Sequence, residues 1–149
     1  MWDFVKFSPE KKMLDGMEFI DVNKLPKNAF ASESDAGKAR GIIKRAKYFH
    51  FQNYEAEEGL VRQMKEHGCV LVIGVSDFFG VDEGEMARRV RRAGKLVEIA
   101  NKYGVEIRIC TLARGEMELR DEYELYWIGK LLGMEEEKLR RMRGKRSDV

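Results

Sequence analysis

Residues 85–95 hold Arg88, Arg89, Arg91, Arg92 and Lys95 against a single acid, Glu85. On a helix turning about 100° per residue, Arg88, Arg91, Arg92 and Lys95 share one face. The opposite face carries the stripe Met86, Val90, Ala93, Val97 and Ala100, which is expected to be buried. Four cations within two turns make a phosphate-binding surface, because each phosphate they neutralise releases a counterion. Arginine also offers a planar fork matched to phosphate oxygens. The same pattern suits a solvated face paired with acids on neighbouring helices, and the residues alone leave both readings open. A second cluster, Lys138, Arg140, Arg141, Arg143, Lys145 and Arg146, stands against Glu137 and Asp148. It reads as an RNA-binding arm or as an ordinary charged terminus.

A second set of polar residues falls where strands should end. Ser76, Asp77, Thr111 and Arg114 are expected to cluster at the carboxyl ends of adjacent strands, where parallel sheets bind ligands. Arg108 lies mid-strand, opposite Val105, Ile107 and Ile109. In a barrel that face could point inward and make Arg108 a pocket anion site; the other reading is a surface or helix-covered pair with an acid. The chain has only His50 and His67, and His50 with Asp77 is a poor set for a catalytic metal. No metal, cofactor or catalytic residue is therefore expected. Tyr48, Phe49, Phe51, Phe78 and Phe79 suit core packing, or stacking on unpaired bases. Walker, G-x-G-x-x-G, C-x-x-C and G-x-S-x-G motifs are absent from the sequence.

The elements that must position these residues follow from periodicity. Residues 69–76 form a near-continuous apolar run, the mark of a strand covered on both faces. A helix is expected from Asp82, with Glu85 placed for a capping box, to Gly104. Residues 105–111 then alternate as a second strand, which completes a βαβ unit. Further strands are expected at 4–7, 17–22, 28–32 and 47–52, with a helical turn near 11–14. Helices are expected from Ser34 or Asp35 to Ala46, from about Glu55 to His67 (packing through Ala56, Leu60, Val61 and Met64), from Asp121 to Leu132, and from Glu135 to Arg143. This order predicts an α/β fold: a reduced or incomplete (β/α) barrel with a mainly parallel sheet of five to six strands. The 149 residues suit a single domain with a charged C-terminal helix and tail from about residue 135.

Composition sets the outer bounds. The 54 charged residues stand against four Asn and two Gln, a balance that leans towards a thermophilic source. Cys69 and Cys110 fall in expected strands and read as buried thiols in a reducing cytoplasm. No signal peptide is evident, and no apolar run approaches the roughly 18 residues of a membrane span.

Across Cys69–Met134 the chain resembles the ribonuclease P protein component 3 family, the thirty-kilodalton subunit shared by archaea and eukaryotes. The resemblance rests on the apolar strand ending in Ser76, on Ala93-Gly94-Lys95-Leu96-Val97-Glu98, and on Lys102-Tyr103-Gly104-Val105. It continues through Thr111-Leu112-Ala113, an acid-rich loop, Ile128-Gly129 and Leu132-Gly133-Met134-Glu135. It implies a barrel-like fold and a non-catalytic subunit that binds ribonuclease P RNA or a tRNA precursor during 5′ leader removal, alongside a protein subunit partner. The RNA contacts would fall to Arg88, Arg91, Arg92, Lys95, Arg140, Arg141 and Arg143. The chain is shorter than a usual member by one or two βα units, and where the family has small hydroxyl residues it reads Thr111-Leu112-Ala113-Arg114. A stand-alone paralogue acting as a homodimer is the alternative, and a metal-dependent phosphoesterase is a third.

Overall fold

The computed structural model describes residues 1–14, 16–55 and 57–143. Ala56, Lys145, Arg146 and Asp148, which enter the expectations above, lie outside them. The strands are β1 (Trp2–Val5), β2 (Met13–Leu14), β3 (Met17–Asp21), β4 (Phe30–Glu33), β5 (Tyr48–Phe51), β6 (Val70–Gly74) and β7 (Ile107–Cys110). The helices are α1 (Ala36–Ile43), α2 (Glu58–Glu66), α3 (Glu83–Tyr103), α4 (Glu122–Leu131) and α5 (Glu136–Met142).

The central sheet is four-stranded and parallel, in the order β4-β5-β6-β7. A second sheet has the order β1-β3-β2, with β1 parallel to β3 and β2 antiparallel to it. The expected sheet of five to six strands is thus corrected to four. The reason lies in the chain after β3. It turns through a short 3-10 segment to Pro26, whose carbonyl takes the amides of Ala29 and Phe30. That turn carries β4 away from β3, so the two never pair. Residues 13–14 form a short strand, not the expected helical turn.

The two sheets meet at one place. Beyond the end of β7, Leu112 N donates to Phe4 O (2.9 Å) and Lys6 N donates to Ala113 O (2.7 Å). The joined sheets curl but do not close, which gives a barrel-like fold with an open side at β4. The inner face is filled by Trp2, Phe4, Phe30, Tyr48, Val72 and Leu112. Their rings pack edge to face, with Trp2–Tyr48 centroids 5.5 Å apart and Phe4–Phe30 5.2 Å apart. Large rings suit this interior because few strands must enclose it. On the outer face the helices bury Ile43, Leu60, Met64, Leu96, Val97 and Leu139.

Local signals explain the helix ends. Asp35 caps α1 by accepting from Lys38 N (2.9 Å), and Asp121 with Glu124 forms a complete capping box on α4. Gly104 ends α3 at φ 69°, a conformation that glycine adopts without strain. Asp82 accepts from Glu85 N, but the Glu85 side chain turns instead to Arg88 and Arg89. The buried stripe of α3 also differs from expectation. Ala93, Leu96, Val97 and Ala100 are buried, whereas Met86 and Val90 are 37% and 42% exposed. The first turns are rotated so that Arg89 faces the loop after β6, and its Nη1 donates to Asp77 O (2.6 Å).

Gly74 sits on the inner face against Leu112, and a Cβ there would lie 2.5 Å from Leu112 Cδ1 and 3.0 Å from Leu112 Cβ. Leu112 cannot retreat easily, since it is fully buried with φ 46°. Gly74→Ala is therefore expected to destabilise the protein by about 1–3 kcal/mol, read as a lower urea midpoint. An unchanged midpoint would show that the inner face has slack.

Candidate functional site

The densest polar constellation lies at the carboxyl end of the parallel sheet, in the mouth of the curl. Ser32 on β4 and His50 on β5 are in register, so both side chains project from the same inner face. Ser32 Oγ is 2.8 Å from His50 Nδ1, and His50 Nε2 is 2.6 Å from Asp77 Oδ2 in the 3-10 turn after β6. Tyr54 OH donates to Asp77 Oδ2 (2.5 Å) and accepts from Gly74 N (2.9 Å). Tyr54 holds this place at φ 56°, a left-handed backbone costing ~1 kcal/mol, and its ring stacks on Phe78 at 5.6 Å.

Charge fixes the direction of these bonds. Burial raises the Asp77 carboxyl, but the bonds from His50 and Tyr54 and the nearby charge of Lys6 outweigh it and hold the group below the usual carboxylate range. Burial, followed by Asp77, pushes the Tyr54 phenol well up, so it stays a donor. In the neutral imidazole, the proton that faces an ionised Asp77 sits on His50 Nε2, and Nδ1 is then the acceptor for the Ser32 hydroxyl. The chain of donors therefore runs from Ser32 to His50 to Asp77.

Ser32 also lines an open groove of about 1160 Å³ along the β4 side of the curl. Lys6, Lys27, Lys38 and Arg45 stand around it against one acid, Glu33. Val22, Leu25, Phe30 and Ile42 give it an apolar lining. Such a groove favours an anionic molecule with an apolar part.

The residues expected at the strand ends are placed differently from one another. Asp77 is at the mouth. Ser76 is buried, and its hydroxyl donates to Leu112 O (2.8 Å). Thr111 is buried too, with its amide and hydroxyl each 2.6 Å from the Asp3 carboxylate. Arg114 is exposed and paired with Glu118. Arg108 points inward, at the amino end of the sheet and away from the other four. Its guanidinium lies 3.8 Å from the Trp2 ring centroid and donates to Trp2 O and Met142 O. Sequence reasoning missed Ser32 and Tyr54. The one available signal was His50, alternating with Phe49 and Phe51, because a polar residue on the inner face of a strand needs partners on the next strands.

The basic clusters divide as well. On α3, Arg88 pairs with Glu85, Lys95 with Glu98 and Arg92 with Glu55, while Arg91 is exposed. Arg88 and Lys95 remain 56% and 66% exposed. On and after α5, Arg140 pairs with Glu136, Arg141 with Glu106 and Glu137, and Arg143 with Glu122. Tyr48, Phe49, Phe51 and Phe78 are buried, whereas Phe79 is exposed under Arg120. Cys69 and Cys110 are buried free thiols, with burial pushing Cys69 up to about 12.

Among the described residues, no group of three or more His, Cys, Asp or Glu side chains could hold a metal ion, and no helix is long and apolar enough to cross a membrane. No protein-family model matches the chain, and no curated protein matches it. Its fold is similar to that of a chain in the cryo-EM structure of archaeal ribonuclease P with mature tRNA. The TM-score is 0.69 at 15% identity, over 76% of this chain and 53% of that one. This chain thus spans about half the length of that neighbour. A crystal structure of an uncharacterized protein matches with a TM-score of 0.51 at 18% identity, over 70% of this chain and 29% of the other. At these identities the likeness is one of fold.

The Asp3–Thr111 contact carries a pH signature. Burial pushes the Asp3 carboxyl up to about 7, although the bonds from Thr111 and the charge of Arg108 act to lower it. The folded protein then binds this proton more tightly than the unfolded chain, whose value is near 3.8. The stability that Asp3 contributes is full below 3.8 and is lost as pH rises through about 7. Urea midpoints at pH 5 and pH 8 are expected to show this loss, and Asp3→Asn, which cannot ionise, is expected to reduce it.

Proposed function

We propose that this protein is an RNA-binding subunit of the ribonuclease P component 3 kind that does not itself cleave the RNA, serving precursor-tRNA 5′ processing in the cytoplasm. The observation that carries this reading is the exposed cationic face of the first half of α3, formed by Arg88, Arg91 and Lys95 with Arg92 beside them. The acids that hold Arg88 and Lys95, Glu85 and Glu98, each lie three residues away on the same helix. Exposed pairs of that kind are worth less than about 1 kcal/mol, so phosphate oxygens displace them readily. The fold neighbour belongs to a ribonuclease P structure containing tRNA, which supports the same reading. Arg140, Arg141 and Arg143 serve as secondary contacts, since each must first leave an acid.

The test is binding to ribonuclease P RNA across a salt series. Each phosphate contact contributes about 0.9 to the slope of log affinity against log salt. Replacing Arg88, Arg91 and Arg92 with Glu is expected to lower that slope by about 2–3 and to weaken binding at least ~tenfold. Negligible affinity at low salt, or an unchanged slope, would sink the proposal.

A second reading, a homodimer or a protein subunit partner, is favoured by α4. Tyr123, Trp127 and Leu131 recur at i, i+4 and i+8 on one face and are 62%, 42% and 85% exposed. Such an apolar stripe marks an association surface. Trp127→Glu is expected to leave the melting temperature nearly unchanged and to abolish self-association seen by light scattering. A wild-type protein that stays monomeric at high concentration removes the homodimer.

A further inference from the structure

We propose that the mouth of the curled sheet is a serine hydrolase site, with Ser32 as nucleophile and His50 as its base, acting on carboxylic esters that carry negative charge. The Ser32–His50–Asp77 chain has the roles of a hydrolytic triad, which is recognised by geometry and not by sequence order. Nδ1 here faces the serine and Nε2 the carboxylate, the reverse of the chymotrypsin arrangement, and either imidazole nitrogen can accept the hydroxyl proton. Asp77 is a positioning residue: it fixes the tautomer that leaves Nδ1 free, and Tyr54 and Arg89 fix Asp77 in turn.

A buried polar network inside the fold would not need to reach solvent, but this one does. Ser32 is half-buried and lines the groove, whereas His50 behind it is enclosed. Ser32 also sits on the edge strand. Tyr48 N bonds to Ala29 O and Gln52 N to Glu33 O, so residues 29, 31 and 33 turn their peptide groups towards β5. By alternation, the Ser32 N–H turns outward along the open edge. It is a fixed donor next to the Ser32 hydroxyl, suited to a developing oxyanion. Lys6 lines the same groove and adds positive charge there.

The chemistry balances without an added oxidant or reductant. As Ser32 Oγ bonds to the ester carbonyl carbon, its proton passes to His50 Nδ1 and the carbonyl electron pair moves to oxygen. Collapse of that species breaks the bond to the alcohol oxygen, which takes the proton from His50. Water then attacks the acyl carbon and gives a proton to His50, and the acid leaves as Ser32 Oγ recovers that proton. The products are one carboxylic acid and one alcohol. Val22, Leu25 and Ile42 offer the acyl chain an apolar wall, while Lys27, Lys38 and Arg45 select for an anionic group.

The wild-type protein is incubated with a fluorophosphonate probe and digested, and the modified peptide is located by mass spectrometry. Covalent addition at Ser32 is expected, absent in Ser32→Ala and at least ~tenfold slower in Asp77→Asn. The wild-type arm requires no variant to fold. A second measurement compares hydrolysis of 4-nitrophenyl butyrate with that of the anionic mono-4-nitrophenyl glutarate. The anionic ester is expected to have the higher kcat/KM, and this preference is expected to vanish in Lys38→Glu/Arg45→Glu. No labelling of the wild type, labelling at another residue, or a rate unchanged in Asp77→Asn would overturn the assignment. Equal use of the two esters would overturn the substrate class.

Discussion

The contact between Asp3 and Thr111 joins residues 108 apart in sequence, and the rest of the architecture depends on it. The bonds to the Thr111 amide and hydroxyl hold β1 against the chain that leaves β7. Without that seam the inner faces of two small sheets would lie open to water. With it, Trp2 and Phe4 reach across to Tyr48 and Phe30 and complete an aromatic interior. Arg108 strengthens the same junction from the other end by stacking on Trp2 and taking the Trp2 and Met142 carbonyls. Burying Asp3 and Arg108 costs solvation, which their hydrogen bonds must offset. What they supply is register: in this alignment the Asp3 oxygens take the Thr111 amide and hydroxyl while Arg108 takes the Trp2 and Met142 carbonyls.

Closing one side of the curl leaves the other side open, and the polar chemistry gathers at that opening. An unpaired parallel edge is a liability that proteins blunt with charge. Here the edge strand β4 is flanked by Lys6, Lys27, Lys38 and Arg45. The cations that discourage a second sheet from adding there also make the groove selective for anions. The turn at Pro26 is what keeps β3 from filling the gap, so a single backbone choice produces both the incomplete sheet and the groove.

Much of this was legible in the chain, for local reasons. The run from Cys69 to Ser76 and the alternation from Val105 to Thr111 identify strands, because each strand's environment is uniform along its length. Asp35, Asp82, Asp121 and Gly104 mark helix ends through bonds made within one turn. What was not legible depends on contacts distant in sequence. The inner-face placement of Ser32 matters only because parallel pairing sets it beside His50, and nothing near residue 32 announces that. The rotation of α3 was hidden for a similar reason: an apolar stripe through Met86 and Val90 is a sound expectation until Arg89 finds the Asp77 carbonyl. Arg108 was recognisable as a mid-strand charge that needs partners, but those partners, the Trp2 and Met142 carbonyls, lie far from it in sequence.

The basic helix and the mouth of the sheet are also joined. Glu85 holds both Arg88 and Arg89, and Arg89 in turn holds the backbone of Asp77. An anion at Arg88 competes with Glu85 for that guanidinium. Glu85 also pairs with Arg89, so one carboxylate bridges the basic face and the guanidinium that holds the Asp77 backbone. Two surfaces that look separate thus share one short chain of bonds, from Arg88 through Glu85 and Arg89 to the Asp77 backbone.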